Sequence, residues 1–297
     1  MTGVPMTIED ILKNTSSAPV RKKAVIPGVR GEELFRFLKA AQHLADFILI
    51  GDGNAIKKEL HSHGLSETKV ISEPAENEAC ERAGRILAGG DADILIKGVV
   101  QTSSFTRILL NKKWGFTPAG SLLSHLSLFN LKSYRKPLFL TDAAINIDPD
   151  VDAKEKILRN ALDAVKRLGI AHPKAALIAP VEKVSDKIQS TKDAAELKIR
   201  YAEASGAVVD GPFGLDAALS LKAAETKGIK SDVCGNPDLL LMPGLDAGNV
   251  LYKAFTLIGG AEPAGVVLGA SIPAVLTSRS DSVESKLLSL SLALRLA

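Results

Sequence analysis

LADFILIGDGNAIKKELHSHGLSETKVIS, residues 44–72, reads as strand, helix, strand. LADFILI (44–50) and TKVIS (68–72) are short apolar runs, while NAIKKELHSHG between them has helical spacing and ends on a glycine, where a C-cap sits. Two apolar strands joined by a helix make the crossover unit of a parallel sheet. The alternation continues outward. DILIKG (93–98), PLFLT (137–141), AALIA (175–179), AVVDG (207–211), DLLLMP (238–243), AGVVLG (264–269) and IPAVL (272–276) read as further strands. AENEACERAGRILAGG and AKEKILRNALDAVKRLG read as helices between them. SLLSHLSLF (121–129) alternates polar and apolar residues instead, which suggests an antiparallel edge strand near a domain crossover. The expected fold class is α/β with two domains: 1–118 with 268–297, and 119–267.

A chain of 297 residues, 46% apolar and 24% charged, can bury a sizeable core and lies near the upper end for one domain. The net charge is only +3 and the basic residues are dispersed, which argues against a nucleic-acid surface and leaves room for local cationic pockets. A small anionic ligand fits better. Cys80 and Cys234 are too few for a disulfide framework, and MTGVPMTIEDILKN carries acids where a secretory signal would be basic and then apolar. A cytoplasmic protein is expected. The apolar tail SKLLSLSLALRLA is shorter than the roughly 20 residues a bilayer requires and contains Lys286 and Arg295, so it reads as a packed helix with no membrane partner.

Open α/β sheets bind ligands at the carboxyl ends of their strands, which directs attention to the loops. Lys97 and Gly98 follow one strand, and TSSFTR (102–107) then opens a helix with Thr102, Ser103 and Arg107. That is either an anion cradle or an ordinary helix start capped by Thr102 or Ser103. PGLDAGNVLYKAF (243–255) runs from a strand into a helix, with Asp246 able to cap, Gly244 and Gly248 able to admit a ligand to the backbone, and Asn249 able to orient it. TSRSDS (277–282) supplies Ser278 for a developing oxyanion and Arg279 for phosphate oxygens. Asp281 and Glu284, within a turn, could accept a thiol proton, or Asp281 or Ser282 could simply cap the following helix. Asp142 and NIDPD (146–150) suit loop organisation and capping better than a metal, and the five scattered histidines give no ligand set; no metal site is expected. Walker, dinucleotide and nucleophile-elbow patterns are absent from the sequence.

Taken together and in order, ADILIKGVVQTSSFTR, TDAAINIDPD, VVDGPFGLDAA, PDLLLMPGLDAGNVLYK, IGGAEPAG and TSRS resemble the phosphate acetyl/butyryltransferase family over roughly residues 90–285. The resemblance implies transfer of an acyl group between coenzyme A and inorganic phosphate, with CoA and acyl-CoA as substrates and no tightly bound cofactor. It also implies a homo-oligomer of two three-layer αβα domains, related to the isocitrate and isopropylmalate dehydrogenase architecture, with the active cleft between them. Ser278 and Arg279 match the family's active-site serine and arginine, and Arg107 matches a substrate-binding arginine. The implied mechanism is direct thiolate attack in a ternary complex. Two departures stand out: Ser285 occupies the position of the acetyl branch's base aspartate, and Ser280 replaces the usual glycine. The base role then falls to Asp281 or Glu284, and Ser280 with Lys97 leans toward the butyryl-like branch or a sister group. Alternatives are a non-catalytic relative that binds CoA or acyl phosphate, and a metal- and NAD-dependent dehydrogenase of the same fold.

Overall fold

The computed structural model describes residue 11 and residues 21–202, 206–276 and 281–297. Along the chain run β1 (Lys23–Pro27), α1 (Glu32–Ala41), β2 (Asp46–Gly51), α2 (Gly53–Ser62), β3 (Lys69–Ser72), α3 (Glu76–Ala88), β4 (Ile94–Ile96) and α4 (Thr102–Leu110). There follow β5 (Ser124–Phe129), β6 (Leu138–Thr141), α5 (Val151–Arg167), β7 (Lys174–Ile178), α6 (Gln189–Arg200), β8 (Val208–Phe213), α7 (Leu215–Leu219), α8 (Leu221–Thr226), β9 (Leu239–Leu241) and α9 (Leu245–Lys253). A π-helical turn, Ala254–Ile258, continues α9, and β10 (Ala264–Leu268), β11 (Ala274–Val275) and α10 (Val283–Leu296) complete the series.

The fold is α/β, and the chain divides into two compact units. One holds the described residues of Leu12–Ser121 and Ala264–Ala297, here the flanking unit; the other, the central unit, holds those of Met1–Ile11 and Leu122–Pro263.

In the flanking unit the strand order is β3-β2-β1-β4-β11-β10. The pairs β1–β2, β2–β3, β1–β4 and β4–β11 are parallel. Residues 44–72 thus form the crossover read from them, and β4 is buried on both faces, as a continuous apolar run in a parallel sheet must be. Two corrections apply here. The strand β1, KAVIP, is absent from the expected set because a short run ending in proline resembles a turn. The AGVVLG strand is not parallel: β10 pairs antiparallel with β11, since the five residues between them are too few for a crossover. The sheet is therefore mixed. The tail helix α10 packs against β10 and α1, and Ser289 Oγ accepts from Gly265 N at 2.9 Å.

In the central unit the order is β5-β6-β9-β7-β8, with β5–β6 antiparallel and the other pairs parallel. The alternating stretch at 121–129 yields the antiparallel β5, but all six of its residues are buried, unlike the exposed polar face of an edge strand. Its polar groups are satisfied internally: Ser127 Oγ and His125 Nδ1 lie 3.2 Å apart, and Asn160 Nδ2 donates to Ser124 Oγ at 3.1 Å. Asp150 caps α5 by accepting from Ala153 N at 2.8 Å. Among the described residues, no helix is long and apolar enough to cross a membrane.

Candidate active site

In the flanking unit, the turn from β4 into α4 gathers Lys97, Thr102 and Ser103. Gly98 makes the turn possible, because a Cβ there would lie 2.2 Å from the Pro27 carbonyl oxygen. Lys97 is 7% exposed, and its ammonium donates to Gly98 O at 3.4 Å. Thr102 and Ser103 are exposed in the first turn of α4, and neither caps it: the N-cap is Gln101, whose side chain makes no cap bond. The capping role considered for them is therefore not used. Their hydroxyls stand at the positive end of the helix dipole, in the segment that follows the buried Lys97, an arrangement suited to an oxyanion.

Arg107 lies one turn further on. It lines a separate recess of about 190 Å³ with Asn77, Cys80, Ser104, Asn111 and Trp114. Burial pushes the Cys80 thiol up to about 11, with Glu76 adding to the rise and Arg107 opposing it. The thiol beside Arg107 is thus neutral at physiological pH and unsuited to nucleophilic attack.

Ser278 and Arg279 lie outside the described residues. Just beyond them, Ser282 is the N-cap of α10, accepting from Ser285 N at 3.0 Å. Asp281 does not cap; its backbone carbonyl accepts from the Lys286 ammonium. Glu284 stands exposed in the first turn of α10, and Ser285 is buried.

Gly248 and Asn249 belong to the central unit. Gly248 is buried in α9 against the chain's own backbone: an added Cβ would lie 2.2 Å from Asp142 O. Asn249 Nδ2 donates to Ala143 O at 3.2 Å. Both hold the loop after β6, whose centre is the buried Asp142 carboxylate. That carboxylate accepts from Ala144 N, Ile145 N, Asn146 Nδ2 and His125 N at 2.6–3.2 Å. Asp246 stays exposed in the first turn of α9 without capping it, because Gly244 is the N-cap and offers no side chain. The starts of α5, α6 and α9 line a recess of about 690 Å³. In its wall Lys154 and Asp193 form a buried ion pair at 2.6 Å, with Gln189 Nε2 donating to Asp193 at 2.7 Å. Burial pushes the His125 imidazole down, partly opposed by Asp142. Among the described residues, no group of three or more His, Cys, Asp or Glu could hold a metal ion.

The family model described as phosphate acetyl/butaryl transferase matches residues 73–294. A probable phosphate butyryltransferase of Bacillus subtilis is 37% identical over 293 residues, covering 97% of either chain. The chain belongs to the phosphate acetyl/butyryl transferase family. A phosphate butyryltransferase of Clostridium acetobutylicum is 36% identical over 293 residues, again covering 97% of each. The crystal structure of a branched-chain phosphotransacylase from Enterococcus faecalis V583 matches with a TM-score of 0.84 at 32% identity, covering 92% of this chain and 98% of that one. As a family member the protein is a phosphate acyltransferase of the butyryl/acetyl kind.

The family span includes every candidate from Lys97 to Glu284, and also groups that the residue patterns did not single out. Glu76, in a stretch read only as helix, hydrogen-bonds the start of a different helix. Lys154 and Asp193 stand 39 positions apart, beyond any local pattern.

Proposed function

We propose that this phosphate acyltransferase interconverts acyl-CoA plus inorganic phosphate and acyl phosphate plus CoA by direct attack in a ternary complex. The observation that carries the reading is the similarity to phosphate butyryltransferases along 97% of the chain. In the direction that consumes acyl phosphate, a carboxylate, Asp281 or Glu284, takes the proton of the CoA thiol. The thiolate attacks the acyl carbonyl carbon, Ser278 donates to the charged oxygen, and the C–O bond to phosphate breaks as Arg279 holds the departing phosphate. No covalent acyl-enzyme forms. Lys97, Thr102, Ser103 and Arg107 would bind phosphoryl oxygens, with Gly248 and Asn249 shaping the substrate site through the loop they hold. CoA is a substrate in this reading, not a resident cofactor.

The family resemblance further supports a cytoplasmic homo-oligomer with the two-domain isocitrate/isopropylmalate dehydrogenase-like architecture, divided near residues 118 and 268 and with its active cleft between the domains. These are proposals.

The test is thiol release from acetyl-, propionyl-, butyryl- and longer acyl-CoA with and without phosphate, arsenate replacing phosphate in a third arm. Phosphate-dependent release is expected, fastest with one acyl length. Ser278→Ala should lower kcat by about 10²- to 10³-fold, the usual consequence of losing one oxyanion donor. Release that ignores phosphate, or unchanged rates in both Ser278→Ala and Arg279→Ala, would overturn the reading.

A further inference from the structure

Glu76, the first residue of α3, reaches across to the start of α4. Its Oε1 accepts from Gln101 N at 3.1 Å, and the Ser104 hydroxyl faces the same carboxylate. Gln101 N is the N-cap amide of α4, so a carboxylate from a neighbouring helix fills the half of a capping box that the third helical residue, here Ser104, leaves empty. The Ser104 hydroxyl and the Gln101 amide, helped by the charges of Arg30 and Lys97, hold the Glu76 carboxyl below the ordinary glutamate value. The carboxylate is therefore charged at neutral pH and balanced by two cations. α3 also grips the turn that follows α4. Lys113 Nζ meets Glu81 Oε1 at 2.8 Å, and Trp114 packs so closely on Gly84 that a Cβ there would lie 2.5 Å from the indole nitrogen.

We propose that Glu76 is a positioning residue for oxyanion recognition: it fixes the first turn of α4 so that Thr102 and Ser103 meet phosphate in a single arrangement. The oxyanion is inorganic phosphate or the phosphoryl end of an acyl phosphate. This inference rests on the acyltransferase reading. The charge of Glu76 would by itself repel such a ligand. Its hydrogen bonds order the donors, and the neighbouring cations offset the repulsion.

Steady-state kinetics of the full chain with inorganic phosphate as the varied substrate test this, alongside kcat, the KM for acyl-CoA and the thermal midpoint. Glu76→Ala should raise the phosphate KM about tenfold, with kcat and the acyl-CoA KM within about twofold of wild type. Glu76→Gln keeps an acceptor for Gln101 N and should recover most of that loss. An unchanged phosphate KM in Glu76→Ala, a Glu76→Gln value below wild type, or a parallel decline of kcat, both KM values and thermal midpoint would overturn the proposal. Where Glu76→Ala does not fold, Ser104→Ala removes the hydroxyl that faces Glu76 and should raise the phosphate KM about threefold; no change there also overturns it. Absence of phosphate-dependent turnover in the wild type would instead refute the acyltransferase reading.

Discussion

The flanking and central units repeat one layout, strand then helix, but finish their strand ends differently. After β6 in the central unit the turn is filled by the chain itself: Asp142 collects the loop's donors, Gly248 admits the Asp142 carbonyl, and Lys154 neutralises Asp193 under the neighbouring recess. After β4 in the flanking unit, the segment that follows the buried Lys97 carries exposed hydroxyls at a helix start without its own side-chain cap. Two strand-to-helix turns thus serve different ends. A turn that satisfies its own polar groups gains rigidity, whereas one that leaves donors exposed keeps capacity for a ligand.

Substitutions in the central turn should cost stability, and those in the flanking turn should cost phosphate binding. The largest effect is expected at the buried pair. Asp193→Ala strands a buried ammonium and should destabilise the protein by about 3–5 kcal/mol in urea unfolding, while Lys154→Met with Asp193→Leu should lie much nearer wild type. Gly248→Ala should cost about 1–3 kcal/mol or more, because the Asp142 backbone must move to admit the methyl.

The next effect is a pH dependence centred on His125. Above pH ~6.5 the imidazole is neutral in both folded and unfolded chains and adds no slope; below it the unfolded chain binds a proton that burial denies the folded one. Stability should therefore fall as pH falls from about 6.5, with this one group contributing at most about 1.4 kcal/mol per pH unit. Urea midpoints at pH 7.5 and 5.5 check this, and His125→Gln should flatten that part of the decline.

The smallest stability effect belongs to the flanking turn. Thr102→Ala with Ser103→Ala, both exposed and neither capping, should change stability by less than about 0.5 kcal/mol per site while raising the phosphate KM. A large loss of stability there, or of phosphate affinity alone in Gly248→Ala, would break the contrast.

Much of this was legible in local pattern. The β2–α2–β3 crossover, the burial of β4, the Asp150 cap and the packed tail helix all follow from periodicity and end signals within a few residues. The antiparallel turn of β10 into β11 was misread because both strands are short apolar runs, and direction is set by partners rather than composition. Thr102, Ser103 and Asp246 are types that favour caps, yet none caps a helix. At α4 a carboxylate from another helix took the work, and at α9 a glycine holds the N-cap position.

Residue types and their order were sufficient to specify an α/β chain of this family, because apolar periodicity and ordered motifs are properties of neighbours in sequence. The tertiary structure alone decided that Glu76 ties α3 to α4, that Lys154 finds Asp193, and that Gly248 faces a carbonyl and not open space. Those contacts join groups 25, 39 and 106 positions apart or satisfy a backbone that no side-chain pattern encodes. Their energies arise only when burial withdraws water from both partners.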